Sequence, residues 1–195
     1  AVLRYLQAQH ATGVYAVVGY SLGANVLLKY LGESGAAARL EKAIAVSTPF
    51  ELAEASRKLN RGVSRVYQRY LVSSLIRRYQ DKFSSRQSPL EVDVQSLKSF
   101  YAFDQQITAP LNGFEGADDY YGRCSSRQFL SGIARPCLII HAQDDPFLPA
   151  SSIPQASELP DCVRLYCCEH GGHVGFIEGG WRPRRWLDRV LLQFL

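Results

Sequence analysis

Five consecutive residues, Gly19-Tyr20-Ser21-Leu22-Gly23, place a serine between two glycines where an apolar run gives way to a helical pattern. A serine forced into a tight strand-to-helix turn adopts a strained backbone with its hydroxyl exposed. Side chains two residues to either side would collide there, so the reading requires glycine at both 19 and 23. The helix that follows aims its first N–H groups, Leu22 among them, at negative charge developing on a nearby oxygen. With glycine and serine each near 7% of residues, about 6% of chains this long would carry such a pentapeptide by chance. The weight therefore comes from its context, VVG leading in and ANVLLKYLG leading out. The plain alternative makes Ser21 a helix cap.

A serine hydroxyl is a weak nucleophile without a base and an acid that orients the base. Asp145, in IIHAQDDPFLP, follows an apolar run and sits where the C-terminal ends of parallel strands gather ligands. Asp144 competes with it. Asp145 is preferred because the acid of such a loop stands four residues before the closing proline, here Pro149; the plain reading of the pair is turn initiation. The base is His173 in Glu169-His170-Gly171-Gly172-His173-Val174-Gly175-Phe176, whose glycines let the loop bend back toward Ser21. His170 is the rival, better suited to a loop hydrogen bond. His141 reads as a satisfied structural histidine at a strand end, and His10 lies in the first helix.

The elements that must position these groups alternate. Val2, Leu3 and Leu6 recur at helical spacing; Val14–Val18 is an uninterrupted apolar run of the kind buried on both faces of a parallel sheet. Leu22–Leu31 reads as a helix closed by Gly32 as its C-cap. Further strands are expected at Ala43–Val46, Cys137–Ile140 and Val163–Cys167, and an amphipathic helix from Pro183, at its first turn, to Leu195. This alternation predicts an α/β fold with a parallel sheet covered by helices. Between the second and third strands lie about 90 residues without strand character, in which Val63, Val66, Tyr67, Tyr70, Leu71 and Leu75 recur at helical spacing.

The chain has 195 residues, 47% hydrophobic and 21% charged, as expected of a single globular domain able to bury a core. No apolar run approaches the roughly 18 residues of a membrane span, and the first residues lack the order of a secretion signal. A net charge of +4 without a recognisable basic motif does not call for a nucleic-acid partner. Its basic residues are nevertheless uneven: from Arg57 to Arg86 there are nine Lys or Arg and one acid, Asp81. That is a solvated helical face on the plain reading, or an attraction to anionic substrates or lipid surfaces on the other. The five cysteines, Cys124, Cys137, Cys162, Cys167 and Cys168, form no CxxC pair and read as reduced thiols of a cytoplasmic protein. His170 beside Cys167 and Cys168 is too small a set for zinc.

Taken in order, GYSLGANVLLKYLGE, STPFEL, RVYQRYL, ITAPLNGF, ADDYY, IIHAQDDPFLP and GGHVGF resemble the YheT-like family of α/β-hydrolases along nearly the whole chain. The resemblance implies a serine hydrolase of carboxylic esters: short-chain esters in bacterial members, acylglycerols and phospholipids in membrane-anchored eukaryotic ones. It places the nucleophile at Ser21, the acid at Asp145, the base at His173 and one oxyanion donor at the Leu22 N–H. Residues 48–133 become a helical lid insertion. His173 would take the Ser21 proton as Ser21 attacks the ester carbonyl, then activate water to release the acid, with no metal or organic cofactor. A small ester or lipid is the expected partner, with transient membrane-surface contact.

One departure bears on this. Full-length members have further N-terminal strands and a loop donating a second oxyanion N–H, worth about 2.7–4 kcal/mol in other enzymes. Without them the Val14–Val18 strand is left with an open apolar edge, so the chain is expected to be a fragment of a longer protein. An intact mass of the native protein near 21.8 kDa would count against that. The rivals to ester hydrolysis are an acyltransferase on the same three residues and a non-catalytic interaction module. Smaller features have plain readings: Asp118 and Asp119 as a helix start, the arginines among Trp181, Pro183 and Trp186 as solvated, and Phe114, Tyr120, Tyr121 and Phe147 as core or acyl-pocket lining.

Overall fold

A computed structural model describes residues 2–9, 13–179, 181 and 184–195; His10 and Pro183, assigned above to the first helix and to the start of the last, lie outside them. In chain order its first elements are α1 (Val2–Gln9), β1 (Ala16–Tyr20), α2 (Leu22–Ser34), β2 (Lys42–Val46), α3 (Leu52–Leu59) and α4 (Ser64–Lys82). Then come α5 (Phe100–Phe103), a π-helical turn over Asp104–Thr108, α6 (Ala109–Leu111), α7 (Ala117–Cys124), β3 (Cys137–Ala142), β4 (Val163–Cys168), β5 (Ile177–Glu178), β6 (Arg184–Arg185) and α8 (Trp186–Phe194). These fall into two compact units, one of Ala1–Glu51 with Ser125–Leu195 and one of Leu52–Cys124.

The first unit is built on a parallel sheet in the order β1-β2-β3-β4. Its register aligns Gly19 with Ala45, Ala45 with Ile139, and Ile139 with Leu165, so the strands end along one rim. Side chains alternate between the two faces, as the pleat requires. Ala43, Ala45, Cys137 and Ile139 pack with Leu27, Leu28 and Leu31 of α2, whereas Ile44, Val46, Leu138 and Ile140 pack with Leu187 and, on its flank, Val190, Leu191 and Phe194 of α8. Burial on both faces is why β2 and β3 read as continuous apolar runs.

Two expectations shift here. Gly32 does not end α2, which runs on to Ser34 and is capped by Gly35 at φ 50°. A Cβ on Gly32 would lie 2.0 Å from the Phe129 carbonyl oxygen, so that glycine serves close packing. The last helix begins at Trp186, after the two-residue pairing of β5 with β6.

The second unit has helices joined by irregular segments and no described strand, as the lack of strand patterning predicts. Leu52, Ala117 and Tyr121 form one small core and Leu97, Phe103 and Ile107 another. Buried Gln68 ties α4 into it, its amide accepting the Phe100 N–H at 3.2 Å and donating to Asn60 at 3.1 Å. The apolar stripe of α4 is not its buried face: Val63, Val66 and Tyr70 are 79%, 66% and 75% exposed, while Ser64, Gln68 and Val72 point inward.

Candidate active site

Ser21 stands at the junction of β1 and α2 with φ 51° and ψ −123°, a sparsely populated conformation that the surroundings must enforce. Its N–H donates to the Val46 carbonyl at 2.9 Å, and its own carbonyl accepts from Ala24 at 2.9 Å and Asn25 at 3.2 Å. The turn is thus tied to the end of β2 on one side and to the first turn of α2 on the other. Gly19 is needed as expected, because a Cβ there would lie 2.7 Å from the Gly23 carbonyl oxygen. Gly23 is not: a Cβ on it would meet nothing within 4 Å. Crowding therefore demands glycine two residues before the serine and not two residues after it. Leu22 opens α2, and its N–H belongs to the first turn, where a helix supplies no acceptor of its own.

The loops after β3 and β4 meet this turn. Ser21 Oγ lies 2.9 Å from His173 Nε2, and His173 Nδ1 lies 2.8 Å from Asp145 Oδ2. The Asp145 side chain is fully buried and that of His173 nearly so. Asp145 also accepts N–H bonds from Phe147 at 2.8 Å and Leu148 at 3.2 Å through its other oxygen, so its carboxylate is clamped before it meets the ring. Phe147 packs on the imidazole with ring centres 4.6 Å apart. The arrangement can pass a proton from hydroxyl to imidazole while a fixed carboxylate faces the other ring nitrogen, which is what nucleophilic attack by a serine requires.

Asp144, the competing acid, does something else. It accepts N–H bonds from Gly171 at 3.0 Å and Gly172 at 2.9 Å, and His170 Nδ1 lies 3.4 Å away. The Gly172 bond foremost, with that of Gly171 and the neighbouring His170, holds its carboxyl below the usual aspartate range. Gly172 takes φ 61°, and a Cβ on Gly171 would sit 2.6 Å from the Phe176 ring. Asp144, from the loop after β3, thus braces the loop after β4 that holds His170 and presents His173.

Two further polar residues carry no sequence signal beyond their types. Ser47, fully buried at φ 50° after β2, receives its backbone position from an N–H bond to the Ile140 carbonyl at 2.8 Å. Its hydroxyl donates to the His173 carbonyl. His141 corrects the expectation of a satisfied histidine, for both ring nitrogens lack a partner among the described residues. β3 runs two residues further than expected and carries the ring into the packing against Phe50, 5.7 Å away. Burial pushes its pKa down to about 4, opposed by Asp145 and assisted by His173.

Elsewhere the plain readings fit the geometry. Asp118 and Asp119 open α7, accepting from Tyr101 and Arg123 respectively, each at 3.1 Å. Tyr121 is buried in the second unit and donates to Asp104 at 2.7 Å, and Phe114 packs on Tyr120. Trp186 packs on Phe176 and Tyr166, while Trp181 is exposed. The five cysteines are free thiols.

Comparison with known proteins gives the family and the fold. A family model described as alpha/beta hydrolase fold matches residues 1–180. The chain is 42% identical over 197 residues to YheT of Escherichia coli (strain K12), covering 99% of itself and 58% of that protein. It is 32% identical to a monoacylglycerol lipase of Saccharomyces cerevisiae, over 93% of itself and 42% of the relative. It therefore spans about half the length of these relatives. Among solved structures, an esterase of Pyrococcus furiosus superposes with a TM-score of 0.52 at 14% identity, over 90% of this chain and 52% of the other, a likeness of fold.

Proposed function

The chain belongs to the alpha/beta hydrolase fold family, and from that premise we propose that it carries the reacting residues of a serine hydrolase that cleaves carboxylic esters, of short acyl chain or of acylglycerol type. The observation that carries the reading is the continuous contact from Ser21 Oγ through His173 to buried Asp145, at 2.9 and 2.8 Å. Such contacts suit a serine that must lose its proton as it attacks. The monoacylglycerol lipase among the relatives supports the ester as substrate class.

In this mechanism His173 carries its proton on Nδ1, toward Asp145, and takes the Ser21 proton on Nε2 as Oγ bonds to the ester carbonyl carbon. The Leu22 N–H faces the oxyanion. The tetrahedral intermediate collapses as His173 returns the proton to the departing alcohol, leaving an acyl-Ser21. Water, deprotonated by the same imidazole, attacks that ester and releases the carboxylic acid. The proton transfers call on Ser21, His173 and Asp145 and on no redox or metal chemistry. The lid role expected of residues 48–133 falls, on this reading, to the helical unit Leu52–Cys124, and the cytoplasm is the assigned compartment.

A fluorophosphonate probe tests the reading, because it phosphonylates a serine only when a neighbouring base activates it. The parent is expected to be labelled at Ser21 and to hydrolyse a p-nitrophenyl ester, and Ser21→Ala to do neither. Equal absence of labelling in both proteins would sink the proposal and leave a binding module.

A further inference from the structure

The second unit leaves one face of α4 uncovered. Val63, at its start, and Val66, Tyr67 and Tyr70 follow one another at intervals that return to one side of a helix, and they are 79%, 66%, 50% and 75% exposed. At about 100° per residue, Arg69 borders this stripe on one flank, Arg65 lies further round the helix, and Arg77 and Arg78 continue the stripe into the next turns. These four arginines and Arg61 are exposed and enter no ion pair among the described residues. Beside the stripe, Arg65, Arg69 and Lys98 line a groove of about 630 Å³ whose other lining residues include Gln68 and Ser99 and no carboxylate.

Apolar and aromatic side chains bordered by unpaired arginines, on a helix lying along a surface, match the interfacial layer of a bilayer. Tyrosine favours that layer because its ring is apolar and its hydroxyl is polar. Soluble anions would use the arginines and leave the stripe without purpose. A neutral apolar partner would leave five cations unmatched.

We propose that this face of α4 docks the protein on an anionic lipid surface, with Val66, Tyr67 and Tyr70 entering the interfacial layer and Arg69, Arg77 and Arg78 meeting lipid phosphates. No described helix is long and apolar enough to cross a membrane. The inference does not depend on the chemistry of Ser21, which lies in the other unit.

Sedimentation of the full chain with phosphatidylcholine vesicles, with and without phosphatidylglycerol, tests it. Binding is expected to need phosphatidylglycerol and to fall as salt rises. Arg69→Gln and Arg77→Gln should each weaken partition about five-fold, and Tyr70→Ser should weaken it while leaving its salt dependence intact. All three positions are exposed, and thermal melts matching the parent would show that any loss belongs to the surface. Equal binding to both vesicles, or no binding by the parent, overturns the proposal. So does displacement of the bound protein by inorganic phosphate or by an RNA oligomer at ionic strength matched with sodium chloride, which would assign the arginines to a soluble anion or a polynucleotide.

Discussion

At the scale of single residues, the two oxygens of Asp145 have separate duties, one toward the Phe147 and Leu148 N–H groups and one toward His173. Asp145→Asn can keep the first and must fail at the second, because an amide NH2 cannot accept the Nδ1 proton. A fall in kcat of about 10⁴-fold is expected, the size of the corresponding change in a serine protease, with a melt close to the parent's. Asp144→Ala probes the loop instead. Its carboxylate holds the Gly171 and Gly172 N–H groups, so removing it lets His173 drift and should lower kcat by about 10- to 100-fold. Labelling at Ser21 should persist, more slowly. In the parent those bonds keep Asp144 ionised to lower pH than an ordinary aspartate, so its contribution is present above the usual range and is lost only as pH falls through the depressed value. Ser21, Asp145 and His173 were legible in the sequence because each sits in a short motif whose chemistry is local. Ser47 and His141 were not, since what matters about them is what tertiary packing places around them.

Elements carry a second set of expectations. Gly19 is crowded by the first turn of α2, whereas Gly23 faces open space, so Gly19→Ala should unfold the elbow or abolish labelling while Gly23→Ala leaves the melt unchanged. Equal damage from both would overturn the distinction. The central strands β2 and β3 were readable because burial on both faces leaves unbroken apolar runs. The face of α4 was not readable: periodicity gives a stripe, but only the arrangement of α3, α5 and α7 decides whether it turns inward. The half-buried Asp104 was passed over for the same reason. Tyr121 donates to it at 2.7 Å, yet burial still raises its pKa. A raised acid contributes stability at pH below its unfolded value, about 3.9, and that contribution is lost as pH rises through the folded value. Asp104→Asn keeps an acceptor for Tyr121 and never ionises. Its Tm relative to the parent should therefore climb from acid toward neutral pH, and a flat difference would show that the half-buried carboxyl carries no such penalty.

The whole molecule interrupts one sheet-based unit with a helical one. The two ends of the interruption are stitched together inside the first unit. The Arg127 N–H donates to the Phe50 carbonyl at 3.2 Å, and its guanidinium pairs with Glu51 at 3.1 Å and with Glu158 at 2.8 Å. Every residue of the Ser21–His173–Asp145 contact, and both faces of the sheet core, lie within Ala1–Glu51 and Ser125–Leu195. Because Glu51 and Ser125 are brought close by contacts that survive excision, a short glycine-serine linker can join them at small entropic cost. A chain with residues 52–124 replaced in this way should melt cooperatively and keep fluorophosphonate reactivity at Ser21. If the excised chain showed no cooperative transition while Arg127→Ala in the intact chain was harmless, the stitching would not be what holds the first unit together. The sheet would then draw its order from the helices that were removed.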